Sequence, residues 1–263
     1  MSPNQEATSD EVQVDVTDRV LTIALVRPKK KNALTLAMYE VITAALARAK
    51  DDAQIRVVVV RGVEGCFTAG NDLADFMQRP PTSSDSPVGR FLDLLVTHPK
   101  PIVAAVDGIA IGVGTTMLLH CDLVYATKET RFGLPFVPLG LGPEAGSSML
   151  LPLLCGHARA AELLLLGEPF DGVRAYELGL VNRLVEREGL HAFAHERALA
   201  IAALPPASVR LTKRLMRAPV RAQLEAAMQD EGAAFFERLR SPEAAEAMSA
   251  FFAKRKPDFS RFE

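Results

Sequence analysis

Short apolar runs that alternate with helical stretches constrain the fold of this chain more than any other feature. Three of these runs lie at 55–62, 100–108 and 123–127, and glycine ends the first two. Runs of this length, bounded by turn residues, are typical of buried β-strands. Apolar residues recur at helical spacing over 35–52, where Thr35 is a candidate helix N-cap. The chain is therefore predicted to be an α/β protein whose site is built by loops at the strand ends.

Clusters of turn residues separate the predicted strands and helices in the first half of the chain. Apolar and polar residues alternate over 11–28 around a turn at Thr17, Asp18 and Arg19, which predicts a β-hairpin. The segment 78–89 is polar and rich in turn residues, and we expect it to be a mobile surface loop. The strands and helices between such turns form the predicted frame of the fold.

The second half of the chain changes from strands to helices. A short strand, a glycine-proline loop and a helix beginning near Gly146 are predicted over 131–156, and nearly everything from 158 onward has helical spacing. We assign 1–200 to an α/β core that carries the site and 201–263 to a helical oligomerisation region. A helical tail after an α/β core often has that role, although it could also pack against its own domain.

Composition, charge and cysteine count exclude several classes of function. The chain has 263 residues, of which 49% are hydrophobic and 24% charged, and its net charge is −2. These values describe a soluble globular protein and argue against a general binder of nucleic acid or membrane surfaces. Cys66, Cys121 and Cys155 lack metal-ligand spacing, and an odd number fits a reducing compartment. Because 1–11 lacks the apolar run of a signal peptide, we expect a cytoplasmic location.

One carboxylate, Glu144, stands among apolar residues, prolines and glycines over 135–150. A carboxylate held against apolar walls has a raised pKa and can carry protons near neutral pH. A second interpretation is open, because Pro143 suits a first helical turn and acidic residues favour that end of a helix. On these residues alone, Glu144 is either a proton carrier or a solvent-facing residue at a helix N-terminus.

Two glycine turns directly follow predicted strands. One contains Gly70, and in the other Gly112 and Gly114 flank Val113 before a predicted helix. Glycines of this kind let a ligand approach the backbone, and the N–H groups there can bind an oxyanion. Two such turns could donate one N–H each to the same carbonyl oxygen, although packing alone would also explain them. The glycine spacing does not match a dinucleotide-binding fingerprint.

Three further groups of residues allow both a functional and a structural interpretation. Asp72 could be a base, but an acid in a turn more often binds its own backbone N–H groups. His191 and His195 could share a helix face, but without an acidic partner motif they do not indicate a metal site. The basic cluster 27–32 could meet a phosphate or be a solvated turn.

Five segments resemble, in order, the crotonase superfamily, also called the enoyl-CoA hydratase/isomerase family. They lie at 27–34, 66–73, 100–127, 131–148 and 241–259. The resemblance covers nearly the whole chain and implies a spiral of β-β-α units with a C-terminal helical region that trimerises, often as a dimer of trimers. It implies an acyl-CoA thioester as substrate, with no metal and no cofactor beyond the coenzyme A that the substrate carries.

The resemblance also assigns roles to individual residues. The oxyanion hole would consist of the backbone N–H groups of Asn71 and Val113, which would bind the thioester carbonyl. The lysines of the cluster 27–32 would meet the phosphates of CoA, and 69–73 would line its pantetheine and adenine side. The residues implied to contact the substrate or its CoA are Lys29, Lys31, Ala33, Ala69, Gly70, Asp72, Leu73, Gly112 and Phe136.

The departures from the family pattern decide the predicted reaction. A typical hydratase of the family carries two glutamates, and the corresponding positions here are Thr116 and Phe136, which cannot serve as the base and the acid of hydration. The segment around Glu144 instead resembles the branch of 3-enoyl-CoA to 2-enoyl-CoA isomerases, in which one glutamate moves a proton from C2 to C4. We therefore predict an isomerase with Glu144 as the catalytic base, and with Phe136 and Leu141 excluding water.

Alternative functions remain open at this point. The chain could be a hydratase or a weakly bifunctional enzyme that uses Glu144 to activate water, and the family also contains dehalogenases, hydrolases and ring-opening members. A catalytically silent acyl-CoA-binding subunit is a further alternative, because both hydratase glutamates are missing. RNA binding is disfavoured by the near-neutral charge. The sequence gives neither the length of the acyl chain, which Phe136 and 78–89 could influence, nor the choice between trimer and hexamer.

Overall fold

The computed structural model describes residues 9–79 and 85–262, and the strands within these ranges form two sheets. A six-stranded sheet has the order β1-β2-β3-β4-β6-β9, with β1 antiparallel to β2 and the other neighbours parallel, and a small sheet has the order β5-β7-β8. The strands are β1 (Val12–Thr17), β2 (Val20–Leu25), β3 (Val57–Arg61), β4 (Ile102–Val106), β5 (Ile109–Ile111), β6 (Leu123–Ala126), β7 (Arg131–Gly133), β8 (Phe170–Asp171) and β9 (Arg183–Leu184).

Helices cover both faces of the larger sheet and make up most of the chain after β7. They are α1 (Leu36–Asp51), α2 (Leu73–Gln78), α3 (Pro87–Thr97), α4 (Val113–Thr116), α5 (Ser147–Cys155), α6 (His157–Leu166), α7 (Gly172–Glu177), α8 (Arg187–Ala202), α9 (Pro206–Arg217), α10 (Arg221–Leu239) and α11 (Pro242–Phe252). A strand-strand-helix unit recurs as β1-β2-α1 and β4-β5-α4 within the described residues. The predicted α/β class is confirmed.

The local signals at the start of the chain are confirmed. Asp18 and Arg19 both have positive φ, 50° and 68°, which is the backbone of a tight two-residue hairpin turn between β1 and β2. The side chain of Thr35 accepts a hydrogen bond of 3.2 Å from the backbone N–H of Met38, as an N-cap does.

The central strand β3 explains why its sequence is an unbroken run of valines. Val58 and Val60 belong to the core cluster that includes α1, whereas Val57 and Val59 belong to the cluster that includes α8. Alternate residues of a strand point to opposite faces, so a strand covered on both faces is apolar at every position. The parallel sheet is therefore buried between two helical layers.

One prediction about local structure is wrong. The segment 78–89 is not one loop, because Gln78 still belongs to α2 and α3 begins at Pro87, with Ser86 accepting a hydrogen bond of 3.2 Å from Gly89 N–H. The centre of that predicted loop, 80–84, lies outside the described residues. The prediction that the chain after 158 is almost entirely helical is confirmed for the described residues, with β8 and β9 as two short exceptions. These strands have two residues each, too few to produce an alternating pattern.

The C-terminal helices cover one side of the core in the same chain. The predicted boundary at 200 falls inside α8, and α9, α10 and α11 follow. Helix α10 packs against α5, and α11 packs near Gly140, whose carbonyl accepts a hydrogen bond of 3.2 Å from Arg238. Among the described residues, no helix is long and apolar enough to cross a membrane. Contacts between copies through this region stay a prediction.

Candidate active site

A cavity of about 650 Å³ lies between α3 and α10. Asn71 and Glu144 contribute to its lining, so it connects the glycine turns of the core with the loop that the sequence singled out. Most of the other lining residues are apolar; they include Phe76, Val88, Leu92, Val96, Met228, Phe235 and Phe236. A largely apolar cavity with a few polar groups is the usual form of a small-molecule site.

The two glycine turns lie side by side because the segments before them pair as strands. Thr68 N–H donates to the carbonyl of Ile109 at 2.9 Å, and Ile111 N–H donates to the carbonyl of Thr68 at 3.1 Å. Gly70 has φ of +87°, and a Cβ built there would lie 2.6 Å from the carbonyl oxygen of Ile111 and 4.0 Å from Cα of Gly112. The close approach of the turns therefore requires glycine at 70.

The predicted oxyanion donors are available at these turns. Among residues 9–79 and 85–262, neither Asn71 N–H nor Val113 N–H donates a hydrogen bond to a protein acceptor. Val113 is the first residue of α4, so its N–H has no partner within the helix. Next to Asn71, the carbonyl of Gly70 and the N–H of Asp72 both bond Leu34, so the N–H of Asn71 is directed away from Leu34.

A buried tyrosine fixes the side chain of Asn71. The hydroxyl of Tyr39 donates to Oδ1 of Asn71 at 2.6 Å. Burial, and then the negative charge of Glu144, raise the pKa of Tyr39 well above its ordinary value. Tyr39 therefore stays protonated and remains a donor. Asn71 and Glu144 line the same cavity, so Tyr39 holds a residue of that cavity in place.

The loop before α5 directs Glu144 into the cavity. Ala145 and Gly146 have φ of 57° and 71°, so the chain turns through two left-handed residues before α5 begins at Ser147. Glu144 is half-buried and lines the cavity. The interpretation of Glu144 as a solvent-facing residue of a first helical turn is therefore wrong, because the turn separates it from the helix.

Burial raises the pKa of Glu144 to about 7. A hydrogen bond from the hydroxyl of Thr116 to Oε1 works against this rise, and the negative charge of Glu231 adds to it. A carboxylate with this pKa is partly protonated and partly ionised near neutral pH. Glu144 can therefore both accept and return a proton.

Thr116 is a site residue that the sequence identified only as a missing glutamate. It is fully buried in α4 and directs its hydroxyl at Glu144. Because α4 begins at Val113, one short helix supplies a candidate oxyanion donor at its first residue and the partner of the carboxylate at its last. In the sequence, nothing about the threonine at 116 indicated that its hydroxyl would bind Glu144.

Glu231 is a second residue that sequence analysis missed. This buried residue of α10 accepts hydrogen bonds from Gly146 N–H at 2.6 Å and Ser148 N–H at 2.8 Å. Its carboxylate satisfies two donors at the start of α5 that have no partner within that helix. Glu231 thereby links α10 to the loop of Glu144. A glutamate in a helical pattern, far along the chain from Gly146, gives no signal of this contact.

Asp72 binds backbone N–H groups of its own turn, which is the structural one of its two interpretations. It is the N-cap of α2, accepts hydrogen bonds from Ala74 N–H and Asp75 N–H at 3.1 and 3.2 Å, and pairs with Arg27 at 2.7 Å. Although burial acts in the opposite direction, the hydrogen bond from Arg27 holds the pKa of Asp72 below its usual range. The interpretation of Asp72 as a base is wrong.

The structure brings the basic cluster 27–32 beside the turn at 66–73. The carbonyl of Lys31 accepts a hydrogen bond of 2.9 Å from Ala69 N–H, and Arg27 pairs with Glu11 as well as Asp72. The side chains of Lys29, Lys30 and Lys31 are exposed to solvent. Ala33, Ala69 and Leu73 are half-buried in the same region.

Of the remaining predicted site residues, Gly112 lies at the start of α4, whereas Phe136 and Leu141 lie in the core. Gly112 caps α4 with φ of 56° and ψ of −121°, a conformation that favours glycine, and a Cβ there would meet no atom within 4 Å. Phe136 and Leu141 are buried in the main core cluster and are not among the lining residues of the cavity. Their predicted roles at the acyl group and in excluding water therefore stay predictions. Among the described residues, no group of three or more His, Cys, Asp and Glu could hold a metal ion.

These features define a class of site. Asn71 and Glu144, a carboxylate of raised pKa, line one apolar cavity, and the turn that carries the free N–H of Val113 lies beside the turn of Asn71. This arrangement can stabilise negative charge on a carbonyl oxygen while a proton moves at a neighbouring carbon. Such a site suits enolate chemistry on a carbonyl compound.

The chain belongs to the enoyl-CoA hydratase/isomerase family, whose family model matches residues 15–261. It is 34% identical over 244 residues to enoyl-CoA delta isomerase 2 of Rattus norvegicus, which covers 90% of this chain but 62% of the rat protein, so the chain spans less than two thirds of that relative. It is 35% identical over 274 residues to the mitochondrial enoyl-CoA hydratase domain-containing protein 2 of Bos taurus, covering 98% of this chain and 91% of the relative.

A solved structure supports the same assignment. The structure of Pseudomonas aeruginosa OdaA superposes with a TM-score of 0.91 at 48% identity, covering 92% of this chain and 99% of that chain. The predicted crotonase-like fold and family are confirmed. The names of the two curated relatives include both an isomerase and a hydratase, so family membership alone leaves the reaction open.

Proposed function

We propose that this chain is an enoyl-CoA isomerase that moves the double bond of a 3-enoyl-CoA thioester to the 2-position, with Glu144 as the base. The observation that carries the proposal is the position of Glu144, which lines the cavity beside Asn71 with a pKa of about 7. The two positions that hold glutamates in a typical hydratase are Thr116 and Phe136 here. One carboxylate suffices for a proton shuttle, whereas hydration needs a base and an acid.

The proposed reaction consists of two proton transfers on one carbon chain. The thioester oxygen accepts hydrogen bonds from the N–H groups of Asn71 and Val113, which makes the C2 proton more acidic. Glu144 takes that proton, the C2–H bond breaks, and the electron pair is delocalised onto the oxygen as a dienolate. Glu144 then gives the proton to C4, and the double bond moves from C3–C4 to C2–C3. Each N–H donor of this type contributes about 3–4 kcal/mol to transition-state stability.

The environment of Glu144 supports both transfers. Its pKa near 7 makes it a stronger base than an ordinary carboxylate and still lets it release the proton. Thr116 binds Oε1, and we assign the proton transfer to Oε2. The apolar walls from α3 and α10 would keep bulk water away from the dienolate.

The other parts of the proposal concern CoA, assembly and location. We assign the CoA phosphates to the exposed lysines of the cluster 27–32, which lies next to 66–73. The reaction uses no metal and no cofactor other than the substrate's CoA. Exposed Leu211, Leu215 and Met216 on α9 support contacts between copies in a trimer or dimer of trimers. A cytoplasmic location is proposed as well, although the name of the bovine relative places that protein in mitochondria.

Turnover of two substrates tests the proposal. Purified protein should convert 3-hexenoyl-CoA to 2-hexenoyl-CoA, and Glu144→Gln should lower kcat by about 10²–10⁴-fold. Glu237→Gln, the same change at an exposed position of α10, is the control and should keep the wild-type rate. Hydration of crotonyl-CoA without isomerisation would overturn the proposal in favour of a hydratase.

A third outcome separates an enzyme from a binding subunit. If the protein binds CoA esters but neither isomerises 3-hexenoyl-CoA nor exchanges the C2 proton of hexanoyl-CoA with deuterated water, the proposed function is wrong. A silent acyl-CoA-binding subunit would then be the better description.

A further inference from the structure

A glycine in the middle of α10 has no structural explanation within residues 9–79 and 85–262. Gly232 lies well inside the 19-residue helix, where alanine would be more stable. Its φ is not positive, so the backbone does not require glycine. A Cβ built at Gly232 would meet no atom of the described residues within 4 Å, so close packing among them does not require glycine either. Both usual structural reasons for an interior glycine are absent.

The space left by the missing side chain of Gly232 is part of the cavity. Gly232 lines the cavity, and it shares one face of α10 with Met228 and Phe235, which also line it. It directly follows Glu231, which binds the loop of Glu144. On the opposite wall, α3 contributes a second glycine, Gly89. The open space over Gly232 therefore belongs to the cavity that contains Glu144.

The size and lining of the cavity indicate the kind of group that fills it. A water molecule occupies about 30 Å³ in the liquid, and a methylene group is of similar size, so a four-carbon acyl group would fill a small part of this cavity. The walls of the cavity include Phe76, Leu92 and Phe235, which favour an apolar tail. Asp93 and Glu225 also line the cavity and would repel a tail that ends in a carboxylate.

We infer that Gly232 is a specificity-determining residue that keeps the cavity open for an uncharged acyl tail longer than six carbons. The inference rests on the proposed function, because it takes the acyl group of a CoA thioester as the occupant of the cavity. A larger side chain at 232 would fill the space that the distal methylene groups occupy. Each methylene group excluded from an apolar pocket lowers affinity, so the loss should grow with chain length.

Variants of Gly232 and a matched glycine test this inference. Gly189 in α8 is the control, because a Cβ there would also meet no described atom within 4 Å and Gly189 does not line the cavity. Gly232→Leu should lower the ratio of kcat/KM for 3-dodecenoyl-CoA over 3-hexenoyl-CoA by about tenfold or more. Gly232→Ala should lower it less, and Gly189→Leu should leave the ratio at the wild-type value. An unchanged ratio in Gly232→Leu would overturn the inference.

Binding measurements separate this inference from the proposed reaction. Wild type should bind dodecanoyl-CoA more tightly than hexanoyl-CoA by calorimetry, and Gly232→Leu should remove that preference even if the protein isomerises neither enoyl thioester. A wild type without the preference would overturn the inference, whatever reaction the protein catalyses. Gly232→Ala serves the same comparison if Gly232→Leu does not fold, because it adds a single methyl group to a helix.

Discussion

The two sides of the cavity are built by different physical means. On the core side, the turns at 66–73 and 108–114 present backbone N–H groups, and paired strands with a required glycine fix their positions. On the helical side, α10 contributes side chains, and Glu231 acts on Glu144 through its charge and through the backbone of the loop. The core side should therefore determine whether the reaction occurs at all, and the helical side should adjust its pH range and substrate.

The largest effect is expected from the core side. Gly70→Ala places a Cβ 2.6 Å from the carbonyl oxygen of Ile111, so the turn must move and carry the N–H of Asn71 with it. We expect kcat/KM for 3-hexenoyl-CoA to fall by about 10²–10³-fold. Gly65→Ala is the matched control, because Gly65 also has positive φ, +74°, but its Cβ would meet no atom within 4 Å in the part of the chain that the structure describes. Equal losses in both variants would attribute the effect to backbone strain and contradict the prediction.

The core side was also the part that sequence patterns could predict. The two glycine turns follow from strand ends and neighbouring glycines, which are local features, and the hairpin and the N-cap Thr35 are local as well. The choice of Asn71 and Val113 as the donors came from the family resemblance. The contacts of Thr116 with Glu144 and of Glu231 with Gly146 join residues 28 and 85 positions apart. No local pattern encodes such pairs, because packing of distant elements creates them. Phe136 shows the same limit, since its motif did not reveal that it is buried in the core.

The pKa of Glu144 predicts a stability effect that follows pH. Because its folded pKa of about 7 lies above the ordinary 4.5, the folded protein holds this proton more firmly than the unfolded chain. The resulting stabilisation is fully present below pH 4.5 and is lost as pH rises through 7. As pH rises from 4.5 to above 7, wild type should therefore lose up to about 3 kcal/mol of unfolding free energy relative to Glu144→Gln. This value is an upper bound, because Glu144 is only partly shielded from solvent.

Urea denaturation at several pH values between 4.5 and 8.5 measures this difference. Glu237→Gln provides the comparison, because the same change at an exposed position of α10 should give a difference from wild type that does not vary with pH. If the difference in unfolding free energy between wild type and Glu144→Gln also did not vary with pH, folding would not raise the pKa of Glu144.

A smaller effect is expected at Thr116, which touches Glu144 from the core side. Thr116→Val removes the hydroxyl that binds Oε1, so the pKa of Glu144 should rise and the acidic limb of the kcat profile should move to higher pH. A lost hydrogen bond to a charged group costs about 1.5–3 kcal/mol, so kcat near pH 7 should fall by about tenfold or more. Thr116→Ser keeps the hydroxyl and should keep the wild-type profile. An unmoved acidic limb in Thr116→Val would contradict the role given to this hydroxyl.

The smallest effect, and the one that most sharpens the comparison, is expected at Glu231. Glu231→Gln removes a negative charge that raises the pKa of Glu144, so the acidic limb of the kcat profile should move to lower pH, opposite to Thr116→Val. The plateau should fall a few-fold, because a weaker base transfers the proton more slowly and because glutamine has one acceptor oxygen for the two N–H groups of Gly146 and Ser148. Asp230→Asn makes the same charge change at the adjacent, exposed position of α10 and should leave the profile unchanged. If Glu231→Gln and Asp230→Asn moved the acidic limb equally, the loss of one negative charge anywhere on α10 would explain the shift. The helical side would then not act on Glu144 specifically through Glu231.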